Sequence, residues 1–494
     1  MKKYSLLIWG FLCSLAILLF TSRSSLLFQC NNWDDANSYF SMGKGMMNGL
    51  VIYRDLYDQK GPYLYLMYGI AYLISHKTFF GVFIFEVIAA TVFLFIAGKF
   101  IEKKSNKKIA FLLVPVIGAG VYSSWSFYYG GAAEEFCLPL IALSFYYLDE
   151  ILHEEISEKR YRRIFSIVGI LAGIIFQVKY TMEGYFFAWF VIAIIWIIWK
   201  KRDAFFVRMG FRFLAFSIIP SIPWLLYFVV TGSLDDWFRC YIYNNIFHYS
   251  QVSGDNYSFF NKIYEICKTL YWLIQDSFSY FVWIIAGFVL QIVMEKGFIR
   301  RFTSAFMFAC TYFVIFIGGN KLAYYSIPLM VFAIPGAAYT GKLISVCLSK
   351  YGKEISGIIY SVMYAAVLIV SVIFASYNTM NAEYRSFSKD DIWLFEASKQ
   401  LSEDDTLLEL NTIDAGLYTI TGIVPNCEYF QTNGIDLDTM FEEQKKYLKE
   451  GKTDYVLAVG YEPEFIYNNY SLIDSYEYYE TDHDNVYYLY RRNW

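Results

Sequence analysis

Two adjacent carboxylates, Asp34 and Asp35, stand in the string Asn31-Asn32-Trp33-Asp34-Asp35-Ala36-Asn37, just beyond a first apolar run. Carboxylates so placed serve as a general base or as metal ligands, a base deprotonating a hydroxyl while that hydroxyl attacks carbon. Neighbouring carboxylates raise one another's pKa, which keeps a base effective near neutral pH. The structural alternative is a solvated loop, or a cap for the helix that follows. Lys60, in Asp58-Gln59-Lys60-Gly61-Pro62, precedes a Gly-Pro turn and an apolar segment. An ammonium there can hold a lipid phosphate at a membrane surface, or merely extend toward the interface.

Three further groups lie later in the chain. Glu134 and Glu135, in Gly130-Gly131-Ala132-Ala133-Glu134-Glu135, open an apolar run, where acidic residues either serve a site or complement a helix dipole. Lys179 ends another run, with an ion pair to Glu183 as its structural alternative. Lys321 is the one cation in the turn that leads to Tyr324-Tyr325-Ser326-Ile327-Pro328. Those tyrosines offer hydroxyls and ring faces to a sugar or phosphate, or belong to an interfacial aromatic belt. Other strings carry no chemistry. Gly118-Ala119-Gly120 sits inside an apolar run and follows no strand, so it is no dinucleotide loop. Asp436-Leu437-Asp438 and Asp482-His483-Asp484 arise by chance in an acidic region. His76, His153, His248 and His483 form no metal spacing, and the eight cysteines contain no C-x-x-C and read as small core residues.

The elements that must position these residues are set by composition. The chain has 494 residues, 57% hydrophobic, 21% aromatic and 17% charged, with mean hydropathy +0.36. Soluble chains carry about a quarter charged residues. Apolar runs at 4–21, 78–98, 109–123, 136–150, 164–179, 183–199, 212–230, 271–294, 302–318, 322–340 and 357–376 predict about eleven transmembrane helices. The first run has no cleavage site after it and reads as an uncleaved span. The tyrosine-rich stretch 61–75 reads as an interfacial or re-entrant helix. Lys2/Lys3 and the basic loops 99–108, 159–163, 200–212, 296–301 and 342–353 fall on alternate sides of the spans, which places them in the cytoplasm. The loop 22–77 and the candidate residues then face outward.

From Tyr377 to Trp494 there are 23 acidic and 9 basic residues, against 22 and 32 in the remainder. The shift divides the chain into a membrane domain, 1–376, and a small extracytoplasmic α/β domain, 377–494, with helices over Asp390–Leu401 and Asp438–Glu450 and strands at Leu407–Leu410, Tyr455–Val459 and Val486–Tyr490. Its acidity argues against nucleic acid or anionic lipid as a partner of that domain.

In this order, the strings resemble the GT-C superfamily of integral-membrane glycosyltransferases, above all the branch related to dolichyl-phosphate-mannose protein mannosyltransferases and the lipid A aminoarabinose transferase. The resemblance covers roughly residues 1–340. It rests on Asp34-Asp35 through Gly49-Leu50-Val51-Ile52-Tyr53, on Asp58-Gln59-Lys60-Gly61-Pro62, and on Glu134-Glu135, Lys179 and Tyr324-Tyr325-Ser326-Ile327-Pro328. It implies a GT-C-like membrane fold, a polyprenyl-phosphate-linked sugar as donor, an active site on the outer face and inversion at the anomeric carbon. The acceptor would be an envelope glycan, glycolipid or protein. Asp34 would be the catalytic base with Asp35 assisting, and Lys60 would hold the donor phosphate. Glu134 or Glu135 would orient the acceptor or the base, and Lys179, Lys321 and Tyr324, with Tyr325, would be further substrate contacts. Gln59 stands where some members have a carboxylate, and some members need no metal, so no cofactor is expected, with a divalent metal as the alternative.

Rival readings are a lipid-linked-sugar transporter or flippase, an envelope polysaccharide polymerase or ligase, and a structural membrane protein. A transporter calls for repeated halves or broken spans near the midplane, and no repeat is visible. Polymerases and ligases lean on arginines in a large outer loop, and loop 231–270 has only Arg239. A structural role leaves the outer-face charges unexplained.

Overall fold

The computed structural model describes residues 4–200, 204–249, 259–318, 321–350, 357–432, 434–435, 437–460, 466, 469–480 and 483–493. Lys2, Lys3, Lys201, Arg202, Gly319, Asn320, Lys353, Asp436, Asp482 and residues 250–258 of the loop 231–270 lie outside the described residues.

The helices run in chain order α1 (Ser5–Thr21), α2 (Asp34–Met47), α3 (Pro62–Ile74), α4 (Phe80–Lys104), α5 (Lys107–Tyr122), α6 (Ala133–His153), α7 (Glu158–Phe176) and α8 (Glu183–Trp199). Next come α9 (Phe205–Ile218), α10 (Ile222–Thr231), the short α11 (Leu234–Trp237) and α12 (Asn244–Phe247), α13 (Phe259–Asp276), α14 (Phe278–Met294), α15 (Phe298–Phe316), α16 (Ala333–Lys350) and α17 (Gly357–Asn378). The C-terminal region adds α18 (Trp393–Ser398), β1 (Leu407–Leu410), α19 (Leu417–Thr421), α20 (Asp438–Lys449), β2 (Tyr455–Val459), β3 (Tyr470–Glu480) and β4 (His483–Arg492).

Each of the eleven apolar runs falls on helix. Among the described residues, seven helical stretches are long and apolar enough to cross a bilayer, or eight if the pair Ile263–Asp276 and Phe278–Met294, bent by 111°, is one broken span. The expected eleven is not reached by these criteria. At 17 and 16 residues, α1 and α5 are shorter than the roughly 20 residues of a typical crossing.

The chain divides into two compact units. The first comprises Met1–Ser22, Ile84–Ile222 and Asn256–Ala382. Within it α1 packs on α5, where the Trp9 indole stacks on Phe111 and donates to that residue's carbonyl at 2.9 Å. Helices α14 and α16 touch backbone to backbone, because a Cβ on Gly336 would lie only 1.9 Å from the Trp283 carbonyl oxygen. Phe211, Val293 and Ile358 are more than two-thirds exposed, as expected of apolar side chains facing lipid.

The second unit comprises Arg23–Phe83, Pro223–Asp255 and Glu383–Trp494. Here α2 and α3 meet at Gly43 and Gly69. Tyr65 and Tyr68 of α3, the helix expected to be interfacial or re-entrant, are fully buried in protein, while Ile70, Leu73 and Ile74 of the same helix are exposed. Tyr68 packs edge-on to Tyr39, and Tyr65 donates to Asp58.

The C-terminal sheet has strand order β1-β2-β4-β3, with β1 parallel to β2 and the other pairs antiparallel. Leu407 pairs with Tyr455 and Leu457 with Leu489. All residues of β1 and β2 are buried; β2 reads as a short continuous apolar run, whereas β1 carries the buried Glu409 between leucines. Expected strands at 407–410, 455–459 and 486–490 are present, and β3 is additional. The expected helix 390–401 is shorter: a 3-10 turn at Lys389–Asp391 precedes α18.

Candidate functional site

In the second unit, Asp34 and Asp35 occupy the first turn of α2. Trp33 occupies the N-cap position, and its side chain makes no capping bond. The Asp35 amide donates to Asp34 Oδ1 at 2.7 Å. Both carboxylates suit the positive end of the helix dipole and remain partly exposed. Asn37, one turn on, donates to the carbonyls of Asn31 and Trp33 at 2.9 Å each and so ties the approach to the carboxylates.

Lys60 is positioned by the folded segment 51–60. Tyr53 takes a left-handed conformation, φ 70°, and its amide donates to the Leu56 carbonyl at 2.8 Å. The Tyr53 hydroxyl donates to the Lys60 carbonyl at 2.6 Å. The Lys60 amide donates to the Tyr65 hydroxyl at 2.8 Å, which in turn donates to Asp58 Oδ2 at 2.9 Å. Asn245 reaches in from residues 223–255 to donate to the Gln59 carbonyl at 2.9 Å. The Lys60 ammonium lies 5.4 Å from the centre of the Tyr39 ring. Asp58 is buried, and burial pushes its carboxyl above the usual range; the Lys60 ammonium opposes that shift and Asp35 adds to it. The acidic–basic element read in the sequence is thus a local network, and Asp58 is its anchor.

The first unit gathers Glu134, Lys179, Tyr324 and Tyr325. Glu134 and Glu135 lie in the first turn of α6, behind Gly130 and Gly131, which have φ of 85° and 88°. A Cβ on Gly130 would come within 2.5 Å of Ser22 Oγ and 2.7 Å of Glu86 Oε1. Gly131 donates its amide to Glu135 Oε2 at 3.0 Å. Lys179 forms a short ion pair with Glu134, not with Glu183 four residues on, and its ammonium lies 3.6 Å from the Tyr325 ring centre and 5.5 Å from that of Tyr324. Both tyrosines are buried in a 3-10 segment, Ala323–Phe332, so they form the floor under a cation and are not an aromatic belt. Glu134 Oε2 and Glu135 Oε1 are buried with no protein hydrogen-bond partner among the described residues. Lys321 instead forms an exposed ion pair with Glu265 of α13.

Among the described residues, the buried charges that the sequence did not single out include Glu86, Lys44 and Asp414. Glu86 lies inside the apolar run of α4 and accepts from Ser22 Oγ at 2.6 Å; a lone acid within such a run was the available signal. Lys44 of α2 is fully buried and donates to the carbonyls of Tyr418 and Ile423, the latter at 2.8 Å. Burial pulls its ammonium down to about 7, with Asp414 as the leading opposing charge. Asp414, pushed up to about 6 by burial, accepts from Ser41 in a short hydrogen bond. All eight cysteines are free thiols; Cys13, Cys137 and Cys240 are buried, whereas Cys267 and Cys347 are exposed and do not belong to a core. No group of three or more His, Cys, Asp or Glu side chains arranged to hold a metal occurs among the described residues.

Neither a family model nor a curated protein matches the sequence. Solved structures do match the fold. ArnT from Cupriavidus metallidurans bound to undecaprenyl phosphate aligns with 99% of this chain and 98% of its own, with a TM-score of 0.61 at 11% identity. The same protein in the apo state gives 0.60 at 9% identity. The apo oligosaccharyltransferase of Archaeoglobus fulgidus aligns with 92% of this chain and 70% of its own, with a TM-score of 0.52 at 11% identity. At these identities the likeness shows the fold alone, shared over nearly the whole chain with ArnT and over most of it with the archaeal oligosaccharyltransferase.

Proposed function

We propose that this protein is an inverting glycosyltransferase that moves a sugar, hexosyl or pentosyl, from a polyprenyl-phosphate donor to an envelope glycan, glycolipid or protein on the outer face of the cell membrane. The observation that carries the reading is the carboxylate pair on the first turn of the helix after the first apolar helix, within a fold that ArnT bound to undecaprenyl phosphate matches over nearly its full length.

In the proposed step Asp34 takes the proton of an acceptor hydroxyl, whose oxygen attacks the anomeric carbon from the face opposite the phosphate. The carbon–oxygen bond to phosphate breaks, and its electron pair leaves on the polyprenyl phosphate. Asp35 assists, and Lys60 neutralises the leaving phosphate. Lys179 and Lys321 are further donor-phosphate ligands; each already pairs with a carboxylate, so phosphate binding exchanges one anion for another. Glu134, Glu135, Tyr324 and Tyr325 are substrate contacts. The reading needs no metal or other cofactor, and activity in EDTA tests that part.

Residues 1–376 carry the proposed catalytic and substrate-binding side chains and 377–494 are an extracytoplasmic region, with the N-terminus cytoplasmic. The alternating basic loops support this orientation. The function is tested by incubating purified protein with a panel of polyprenyl-phosphate sugars and following sugar release or transfer by NMR. Consumption of a donor with inverted anomeric configuration is expected. Retention of configuration, or binding of every donor without consumption, contradicts the proposal.

A further inference from the structure

One face of α2 is committed to the C-terminal region within the second unit. Asn37, Ser38, Ser41 and Lys44 follow a helical spacing that puts them in one stripe. Thr419 Oγ1 donates to Asn37 Oδ1 at 2.7 Å. Gln431 Nε2 donates to Ser38 Oγ at 2.7 Å. Ser41 donates to Asp414, and Lys44 to the carbonyls of Tyr418 and Ile423. All four α2 side chains are nearly or completely buried. A buried polar row of this kind fixes rotation and axial register more sharply than apolar packing, because a slip of one residue leaves every donor and acceptor unmatched.

The contact made by Thr419 reaches the carboxylates. Asn37 accepts from Thr419 with its oxygen and donates with its nitrogen to the Trp33 and Asn31 carbonyls. Trp33 is the N-cap immediately before Asp34. We propose that the C-terminal region is a positioning element for the Asp34–Asp35 pair, acting from Thr419 through Asn37 to the N-terminus of α2, with Ser38, Ser41 and Lys44 fixing the helix register behind it. The inference rests on the carboxylate pair being the catalytic one; Thr419 and Asn37 are positioning residues.

The test is hydrogen–deuterium exchange on the full-length protein in detergent, comparing wild type, Thr419→Val, Thr419→Ser and, as a second break in the row, Ser41→Ala. Valine keeps the branched shape and removes the donor. Exchange in a peptide covering 31–40 is expected to rise about tenfold in Thr419→Val, the loss of one buried hydrogen bond, and to return to wild type in Thr419→Ser. Ser41→Ala is expected to raise exchange over 38–48, while the β2 peptide 455–459 stays protected in every variant. Turnover of undecaprenyl-phosphate-linked glucose supplies the second readout: kcat falls about tenfold in Thr419→Val, with KM within twofold of wild type. Asp34→Asn, run alongside, is expected to abolish turnover without raising exchange. Wild-type exchange over 31–40 in a folded Thr419→Val protein overturns the positioning role. Raised exchange together with full turnover in Asp34→Asn leaves positioning intact and removes the catalytic assignment instead.

Discussion

Gly43→Ala separates the two contributions that hold α2 in place. A Cβ on Gly43 would lie 2.4 Å from Gly69 N, 2.7 Å from Tyr68 C and 2.8 Å from Tyr65 O, all backbone atoms of α3. Ordinary contact begins at 3.4 Å, so the helices must part by about 1 Å. Alanine gains about 1 kcal/mol in helix propensity over glycine. Against that, forcing apart a packed interface costs about 1–3 kcal/mol or more, and with backbone on the far side the upper end applies. The net expectation is a loss of about 2 kcal/mol. Gly45→Ala, two residues along the same helix, is the control. Its nearest obstacle is Leu56 Cδ1 at 2.3 Å, the end of a buried side chain and not backbone, and a strained rotamer there costs about 1 kcal/mol, which the propensity gain offsets. The two variants therefore share a helix and a propensity term and differ in what the methyl meets. Guanidinium unfolding of detergent-purified proteins, followed by tryptophan fluorescence, should place Gly43→Ala well below wild type and Gly45→Ala close to it. Equal midpoints for the two variants would refute the backbone-contact argument.

Further outcomes follow from the same geometry. Lys179→Met leaves Glu134 buried without its cation and is expected to lower stability by about 3 kcal/mol or more, whereas Lys179→Met with Glu134→Gln recovers much of that loss in thermal unfolding. Asp414, with its carboxyl raised to about 6 from 3.8, binds its proton more tightly folded than unfolded, so its contribution is fully present below pH 3.8 and is lost as pH rises through 6. Asp414→Asn should therefore match wild type in unfolding near pH 4 and exceed it near pH 7. Gly130→Ala meets both an unfavourable φ of 85° and the Ser22 and Glu86 oxygens, and is expected to destabilise by about 2 kcal/mol or more in the same unfolding assay. Labelling with a membrane-impermeant thiol reagent in intact cells, on a cysteine-free variant carrying Lys399→Cys, is expected to be positive; absence of labelling would contradict the extracytoplasmic placement of the C-terminal region.

How much of this was legible in the sequence depends on the range of the interaction. Apolar runs announced all eleven helical segments, because burial in lipid or protein demands continuous hydrophobicity. They could not settle how many cross, since α13 and α14 meet at 111° and α1 and α5 are short. Strand β2 was readable as a compact apolar run and β1 as leucines flanking a single acid, but β3 was not. Its sequence mixes acids and tyrosines, and a register shift between Leu472 and Asp474 breaks the alternation. Candidate side chains were legible by type, their partners less so. The ion pair of Lys179 with Glu134 spans 45 residues of sequence, whereas spacing alone suggested Glu183. Lys44 reads as a solvated lysine beside glycines, and only carbonyls nearly 380 residues away explain its burial.

The central claim rests on one carboxylate. The most direct measurement is transfer of radiolabelled sugar from polyprenyl-phosphate donors by wild type and by Asp34→Asn, with folding of the variant verified by its unfolding midpoint. Transfer or slow donor hydrolysis by wild type is expected, with a loss of at least about a hundredfold in the folded variant. Equal activity in the two proteins would contradict Asp34 as the base.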